Sequence, residues 1–216
     1  MKKNHILFDL DGTLTDSQEG ILNSIEHALH YYDIQVEDRS FLRPFLGPPL
    51  VDSMMKYYGF TREKALESVV KYREYFNEKG WLENRVYDGV EAMLGALKEQ
   101  GYKLYVATSK PEDFAQRILQ HFGLAGYFDF IGGATLDDSR VHKADVVRYV
   151  LETNGLHEKS GVIMIGDREN DVRGAKENEL ESIGVLYGYG DLAELRAAGA
   201  DYVAETPAAI VRLLRP

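Results

Sequence analysis

Near the start of the chain, an apolar run leads into two closely spaced acids: Ile6-Leu7-Phe8-Asp9-Leu10-Asp11-Gly12-Thr13-Leu14-Thr15-Asp16. Its apolar start predicts a short buried strand, which carries Asp9 and Asp11 to the edge where open α/β sheets hold their ligands. Two carboxylates this close repel each other unless a cation or a proton lies between them, so they indicate a metal site or an acid/base pair. The alternative from these residues alone is a hairpin turn, because Asp-Gly between apolar residues is a common turn signal.

The composition is that of an ordinary globular protein of 216 residues, 44% of them apolar and 28% charged. A formal net charge of −10 argues against a nucleic-acid polymer or an anionic membrane as the partner. The chain has no cysteine, which excludes disulfides, thiolate catalysis and zinc-thiolate sites. Neither a signal-peptide core nor an apolar stretch of the ~20 residues that a membrane span needs is found. We therefore expect a cytoplasmic protein.

Residues 16–82 differ from the rest of the chain because they predict helices and no strand. Asp16, with Glu19 three residues later, predicts the start of a helix whose apolar stripe runs to Tyr32. Further helices are predicted around 50–58 and 61–79, after a proline-rich break. We expect an all-helical domain here, inserted into a second domain made of residues 1–15 and 83–216.

In the second half of the chain, apolar strands alternate with amphipathic helices. The predicted strands are 103–108, 128–131, 162–167, 182–186 and 202–203. Continuous apolar strands joined by such helices are typical of a parallel sheet that is covered on both faces. The expected fold class is therefore α/β, with a three-layer, Rossmann-like parallel-sheet core and the helical insertion.

Polar residues follow three of these strands. Asp9 ends the first, Thr108-Ser109-Lys110 ends the second, and Gly166-Asp167 ends a later one, with Asp171 four residues on. Parallel strands bring such ends to one edge of the sheet. Each motif alone also fits a structural role: Thr108 a helix cap or turn, Asp167 and Asp171 a helix cap and a first-turn acid. What is specific is their conjunction and their order.

Together these residue types fit a phosphoryl-transfer site. One carboxylate can attack phosphorus and form an aspartyl-phosphate. A second carboxylate two residues later can protonate the leaving alcohol and then activate water. Mg²⁺ shields such anions from each other. A hydroxyl and a lysine, for which Thr108 and Lys143 are the candidates, can bind the remaining phosphoryl oxygens.

In these motifs the sequence resembles the haloacid dehalogenase superfamily of phosphohydrolases. The matching stretches are Asp9-Leu10-Asp11-Gly12-Thr13-Leu14, Val106-Ala107-Thr108-Ser109-Lys110-Pro111, Arg140-Val141-His142-Lys143 and Gly166-Asp167-Arg168-Glu169-Asn170-Asp171. The resemblance implies that Asp9 is the nucleophile and Asp11 the general acid/base. The residues that it implies for phosphate binding are Gly12, Thr108, Ser109 and Lys143. The residues that it implies as Mg²⁺ ligands are Asp9, the backbone carbonyl of Asp11, and Asp167. Asp171 is implied to support these ligands without binding the metal itself.

Within the superfamily, the phosphoglycolate phosphatase-like group, with its 5′-nucleotidase-like members, is the most similar. Leu46-Gly47-Pro48-Pro49-Leu50 indicates this group, and the helical insertion resembles a four-helix, C1-type cap. In that cap, Arg43 is a candidate specificity residue. Two departures weaken the substrate assignment: Lys143 is followed by Ala144 rather than proline, and position 109 is serine where many relatives carry asparagine.

The function expected is that of a Mg²⁺-dependent phosphatase acting on a small phosphorylated metabolite, either phosphoglycolate-like or a nucleoside 5′-monophosphate. We expect it to act as a monomer or homodimer. A dehalogenase would have no need of Asp11. Two alternatives stay open: a phosphomutase of the same superfamily, whose product is an isomer rather than free phosphate, and a catalytically idle binding or regulatory module on the same scaffold.

Overall fold

The computed structural model describes residues 3–137 and 139–215. The chain divides into two compact units. The first is made of Met1–Thr15 and Val86–Pro216, and the second of Asp16–Arg85. Of the domain predicted over 1–15 and 83–216, residues 1, 2, 138 and 216 lie outside the described part of the chain.

The strands and helices alternate through the first unit, whereas the second unit is mainly helical. The strands are β1 (His5–Phe8), β2 (Thr15–Asp16), β3 (Arg85–Val86), β4 (Lys103–Pro111), β5 (Phe130–Ala134), β6 (Val162–Gly166), β7 (Glu181–Val185) and β8 (Tyr202–Ala204). The α-helices are α1 (Gln18–His30), α2 (Leu50–Tyr58), α3 (Arg62–Tyr75), α4 (Val90–Glu99), α5 (Glu112–His121), α6 (Lys143–Thr153), α7 (Glu169–Glu177), α8 (Leu192–Ala198) and α9 (Pro207–Leu213).

The first unit is built on a six-stranded sheet in the order β5-β4-β1-β6-β7-β8, in which every pairing is parallel. Strand β1 lies between β4 and β6, and Phe8 is in register with Val106 on one side and Ile165 on the other. The carboxyl ends of these three strands are therefore neighbours at one edge. The predicted α/β fold with a helix-flanked parallel sheet is confirmed.

Helices α6 and α7 pack on one face of this sheet and complete an apolar core. Leu7 of β1 and Met164 of β6 are buried there against Val146 and Val150 of α6 and Ala175 of α7. Burying an aliphatic side chain of this size stabilises a fold by about 1.5–3 kcal/mol. The central strands are consequently held firmly, and so are the residues that directly follow them.

Two strands differ in extent from their predictions. The sequence predicts strands 103–108 and 128–131, whereas β4 continues to Pro111 and β5 spans Phe130–Ala134. A Cβ at Gly132 would overlap the side chain of Val150, and one at Gly133 would overlap the backbone at Glu112. The two glycines of β5 therefore allow helices to pack closely on the strand.

The first helix of the second unit begins later than predicted. Helix α1 starts at Gln18, so Asp16 is not its cap, and the residue at the N-cap is Ser17. The carboxylate of Asp16 instead accepts a hydrogen bond from the Gln18 N–H at 3.4 Å and pairs with Arg85 at 2.8 Å. The prediction of no strand in 16–82 is also wrong at its first residue, since Asp16 belongs to the two-residue strand β2, which pairs with β3.

The other helices of the second unit pack through aromatic rings. A 3₁₀ helix at Arg39–Phe45 precedes α2, and α3 continues into a π-helical turn at Phe76–Gly80. The contacting ring pairs, with centroids 5.0–6.1 Å apart, are Tyr31–Tyr32, Tyr32–Phe60, Phe45–Tyr57, Phe45–Tyr58, Tyr58–Phe60 and Tyr72–Phe76. Ring contacts inside this unit therefore involve most of its tyrosines. Among the residues that the structure describes, no helix has the length and apolar character needed to cross a membrane.

Candidate active site

A buried group of charged side chains lies at the carboxyl ends of β1, β4 and β6. Asp9 directly follows β1, and its backbone N–H donates to the Ile165 carbonyl of β6 at 2.9 Å. Its carboxylate Oδ1 accepts from the Leu10 N–H at 2.7 Å and lies 2.8 Å from Lys143 Nζ. With only 5% of its surface exposed, Asp9 is held by the central strand and by a cation.

Lys143 connects three elements of the site. It is the first residue of α6, and its side chain reaches back over the sheet edge. Besides Asp9, its Nζ contacts Asp171 Oδ1 at 2.8 Å and donates to the Ala107 carbonyl at 3.1 Å. Burial alone would lower the pKa of Lys143, but the carboxylates of Asp171 and Asp9 outweigh it and raise that pKa. Lys143 therefore carries a permanent positive charge at the site.

Asp167 and Asp171 come from β6 and the helix after it. Asp167 is fully buried directly after β6, and its carboxylate accepts hydrogen bonds from the Thr13 hydroxyl at 3.2 Å and the Tyr189 N–H at 2.7 Å. Asp171 is the third residue of α7, and its Oδ2 accepts from the Arg168 N–H at 3.0 Å. The first-turn position considered for Asp171 is thus present beside its place in the site, whereas the N-cap of α7 is Arg168 and not Asp167.

Asp9, Asp167 and Asp171 together form a cluster that fits a divalent cation. Each offers one carboxylate oxygen, and these three oxygens lie within 4.8 Å of one another. Burial and, after it, the neighbouring carboxylate of Asp171 raise the pKa of Asp167 well above its usual value. The same two causes outweigh Lys143 at Asp9 and raise the pKa of Asp9 to about 6. Three buried carboxylates against one lysine leave excess negative charge. A hard cation such as Mg²⁺, which prefers oxygen ligands, would neutralise it.

The second carboxylate of the β1 loop has a lysine of its own. Asp11 Oδ2 lies 2.8 Å from Lys110 Nζ, and their side chains are only 13% and 5% exposed. Gly12, which follows, has φ +86°, and a Cβ there would overlap the Asp167 carboxylate. Glycine is therefore needed at this position both for its left-handed backbone and for the close approach of Asp167.

The remaining predicted site residues are Thr108 and Ser109 of β4 and Arg43 of the helical unit. Thr108 is buried, its hydroxyl accepts from the Lys110 N–H at 3.2 Å, and a hydrogen bond from Thr108 favours ionised Asp9. Ser109 is half-buried in the same strand, next to Thr108. Arg43 lies exposed in the 3₁₀ helix of the second unit, where its role in specificity stays a prediction.

Three contributors to the site were missed at the sequence level. Lys110 stands two residues after Thr108, and the two-residue period of a strand could have placed both on one face. Thr13 lies in the first motif, but nothing in its pattern pointed to Asp167. Tyr189 contributes its backbone N–H, which every residue except proline has. The identity of residue 189 therefore could not predict this hydrogen bond.

The chain is similar to known proteins over nearly its whole length. Residues 6–185 match the family model for haloacid dehalogenase-like hydrolases. A 5′-nucleotidase of Pseudomonas aeruginosa is 47% identical, over 89% of this chain and 87% of its own. The tyrosine-protein kinase PtkA of Mycobacterium tuberculosis is 38% identical, over 95% of this chain and 67% of its own. The crystal structure of a predicted phosphatase from Clostridium acetobutylicum superposes with a TM-score of 0.96 and 52% identity, covering 99% of both chains.

These similarities extend over all four sequence motifs and over the sheet that carries them. The recognition of the superfamily from the motifs is therefore confirmed, and so is its phosphatase group. The chain belongs to the haloacid dehalogenase-like hydrolase family, as an enzyme of its phosphatase group.

Proposed function

We propose that the protein is a Mg²⁺-dependent phosphatase that hydrolyses a small phosphate monoester through an aspartyl-phosphate on Asp9. The observation that carries this proposal is the pairing of two carboxylates with two different lysines. Asp9 is bound to Lys143 and Asp11 to Lys110, each at 2.8 Å. Two neighbouring acids in separate charge environments are suited to two separate tasks, nucleophile and proton carrier.

In the first half-reaction, a carboxylate oxygen of Asp9 attacks phosphorus and the bond from phosphorus to the leaving oxygen breaks. Asp11 acts as general acid and gives a proton to that oxygen, so the alcohol leaves neutral. The Lys143 ammonium and the Thr108 hydroxyl bind phosphoryl oxygens, where negative charge accumulates. Burial of Asp9 and Lys143 strengthens these interactions because little water screens them.

In the second half-reaction, Asp11 is a carboxylate and takes a proton from a water molecule as that water attacks phosphorus. The bond between phosphorus and the Asp9 oxygen breaks, which returns Asp9 to its starting carboxylate and releases inorganic phosphate. Asp11 regains its proton in the same step. Lys110 keeps the Asp11 side chain in one place through both half-reactions.

Asp9, Asp167 and the Asp11 backbone carbonyl are the proposed Mg²⁺ ligands within the acid cluster. Asp171, whose carboxylate oxygens contact Lys143 and the Arg168 N–H, is proposed to support them. When bound, Mg²⁺ supplies the positive charge that lets a phosphate dianion approach these carboxylates. Thr13 and the Tyr189 N–H hold both oxygens of Asp167 for this role.

The substrate class that we propose first is the nucleoside 5′-monophosphates, with phosphoglycolate-like esters second. The 47% identity to a 5′-nucleotidase over 89% of this chain supports that order. Arg43, exposed in the helical unit, is the proposed cap residue for substrate selection. The reaction takes place on a small soluble ester, and we propose a cytoplasmic location for it.

A phosphate-release assay over nucleoside 5′-monophosphates, sugar phosphates and phosphoglycolate, with Mg²⁺ or with a chelator, tests the proposal. We expect Mg²⁺-dependent release, with the highest kcat/KM for a nucleoside 5′-monophosphate. Release that persists in the chelator contradicts the metal requirement, and the absence of release from every ester contradicts the function.

A second candidate is transfer of the Asp9 phosphoryl group to a hydroxyl instead of water. The relative named as a tyrosine-protein kinase, 38% identical over 95% of this chain, is the observation that favours it. The same assay separates the two functions when an alcohol or a tyrosine peptide is added. A hydrolase releases one phosphate per ester consumed, whereas a transferase releases less and phosphorylates the acceptor.

A further inference from the structure

The loop after β7 packs directly against Asp167. It has the sequence Leu186-Tyr187-Gly188-Tyr189-Gly190, and no catalytic motif includes it. A Cβ at Gly188 would overlap both the Asp167 side chain and the Gly12 carbonyl, and one at Gly190 would overlap the Asp167 carbonyl. The two glycines therefore let the loop backbone lie against Asp167, where the Tyr189 N–H donates to Oδ2 at 2.7 Å.

The same loop reaches the other oxygen of Asp167 through a second residue. The Tyr187 hydroxyl donates to the Thr13 carbonyl at 3.1 Å, and the Thr13 hydroxyl donates to Asp167 Oδ1 at 3.2 Å. Thr13 is completely buried. Both donors to the Asp167 carboxylate are thus connected to Tyr187. Thr13 is connected to it by a hydrogen bond, and the Tyr189 N–H lies two residues further along the same loop.

Tyr187 is itself held in one position. Its ring contacts that of Tyr87 edge to face, with centroids 5.2 Å apart. Burial, and then the nearby Asp167 carboxylate, raise the pKa of Tyr187, which favours the protonated hydroxyl. Its hydroxyl bonds the Thr13 carbonyl and not Asp167 itself.

We propose that Tyr187 is a positioning residue for Asp167, which it orients for Mg²⁺ by fixing Thr13 and the Tyr189 loop. The inference rests on the proposed function, because it takes Asp167 as a Mg²⁺ ligand. Residues behind the ligands of a metal typically change its affinity by about 10–100-fold when they are lost. Tyr187 reaches Asp167 only through Thr13, which is one hydrogen bond further from the metal. We therefore expect its loss to change Mg²⁺ affinity by less than that range.

Titration of the whole protein with Mg²⁺ in a calorimeter tests this role without measuring catalysis. Tyr187→Phe keeps the ring and removes only the hydroxyl, and we expect the Mg²⁺ dissociation constant to rise about three- to tenfold. The matched control is Tyr102→Phe. The Tyr102 hydroxyl also donates to a backbone carbonyl, that of Leu214, but Tyr102 precedes β4 at the opposite end of the sheet. Both variants lose a similar bond, and only Tyr187→Phe changes Mg²⁺ affinity.

A double-mutant cycle identifies the route. Thr13→Val keeps the branched shape and removes the hydroxyl that bonds Asp167, so Tyr187→Phe is expected to have a much smaller effect on Mg²⁺ affinity in that background. Full additivity of the two substitutions overturns the route through Thr13. Equal Mg²⁺ affinity in wild type and Tyr187→Phe overturns the inference and leaves the proposed function intact. Absence of Mg²⁺ binding to the wild type overturns both the inference and the proposed metal requirement.

Discussion

The two ends of the central sheet hold charged residues in opposite proportions. At the carboxyl end, Asp9, Asp167 and Asp171 share one lysine, Lys143, and burial raises the pKa of two of the acids. At the amino end, Asp129 alone has two lysines, Lys98 and Lys103, each 2.9 Å away. We infer that the first arrangement serves ligand binding at the expense of stability and that the second serves stability.

The pKa of Asp129 illustrates the contrast. Burial raises the pKa of this group, but hydrogen bonds from Lys103, Lys98 and the Leu104 N–H outweigh it and lower the pKa to about 2. The Asp129 carboxylate is thus favoured in the folded protein, whereas the carboxylate of Asp9 is disfavoured there even with Lys143 beside it. Substitutions at the two ends should accordingly have opposite effects.

The largest effect is expected for Asp9→Asn, which removes the proposed nucleophile. We expect kcat to fall by at least about 10³-fold, as is typical when a nucleophile is lost. Steady-state phosphate release with a saturating substrate measures it. Asp145→Asn, an exposed acid paired with Arg148, is the control that keeps full activity. Wild-type turnover in Asp9→Asn would contradict the mechanism.

The same substitution should raise stability in the absence of metal. The folded pKa of Asp9 is about 6, above the unfolded value of about 4, so the folded protein holds this proton more tightly. Wild-type stability from this group is present below pH ~4 and is lost as pH rises through about 6. The Tm of Asp9→Asn minus that of the wild type, measured with a chelator, should grow over this range and then stay constant. A difference independent of pH would contradict the shifted pKa.

A smaller loss of activity is expected for Lys110→Met, which removes the partner of Asp11 and keeps the aliphatic stem. General acid/base catalysis typically contributes about 10²–10⁴-fold. Lys110→Met leaves Asp11 in the protein but no longer holds it in place. We therefore expect kcat to fall by only roughly tenfold to a hundredfold. Lys159→Met breaks an exposed pair with Glu179 and serves as control. If kcat is equal in Lys110→Met and in the control, Lys110 has no role in holding Asp11.

The smallest effect is expected at the amino end of the sheet. Asp129→Asn should lower the free energy of unfolding by about 1 kcal/mol at pH 7, an amount reduced for the partial exposure of this pair. The folded pKa is depressed, so this contribution is present above pH ~4 and is lost as pH falls through about 2. Urea unfolding at pH 7 and pH 3 should show the difference from wild type shrinking at the lower pH. If Asp129→Asn is more stable than the wild type at pH 7, the inference that this ion pair stabilises the fold is wrong.

The sequence predicts the carboxyl-end part of this contrast, whereas the pairing of Asp129 with Lys98 and Lys103 was not predicted. Parallel strands must bring their carboxyl ends together, so the positions of Asp9, Thr108 and Asp167 after apolar runs sufficed to predict one site. The pairing of Lys110 with Asp11 was missed because a lysine after a strand has many partners within reach. The extension of β5 through Gly132 and Gly133 could not be predicted, because the packing of α5 and α6 against this strand is a tertiary feature.

Trapping the phosphorylated enzyme would show which residue is the nucleophile. The wild type is mixed with substrate and Mg²⁺, quenched within one turnover and reduced with borohydride, which converts an aspartyl-phosphate to homoserine. Peptide mass spectrometry then locates the modified residue. We expect homoserine at position 9 alone, and none in Asp9→Asn. Homoserine at Asp11 or at another acid, or its absence during active turnover, would contradict the assignment of Asp9 as the nucleophile.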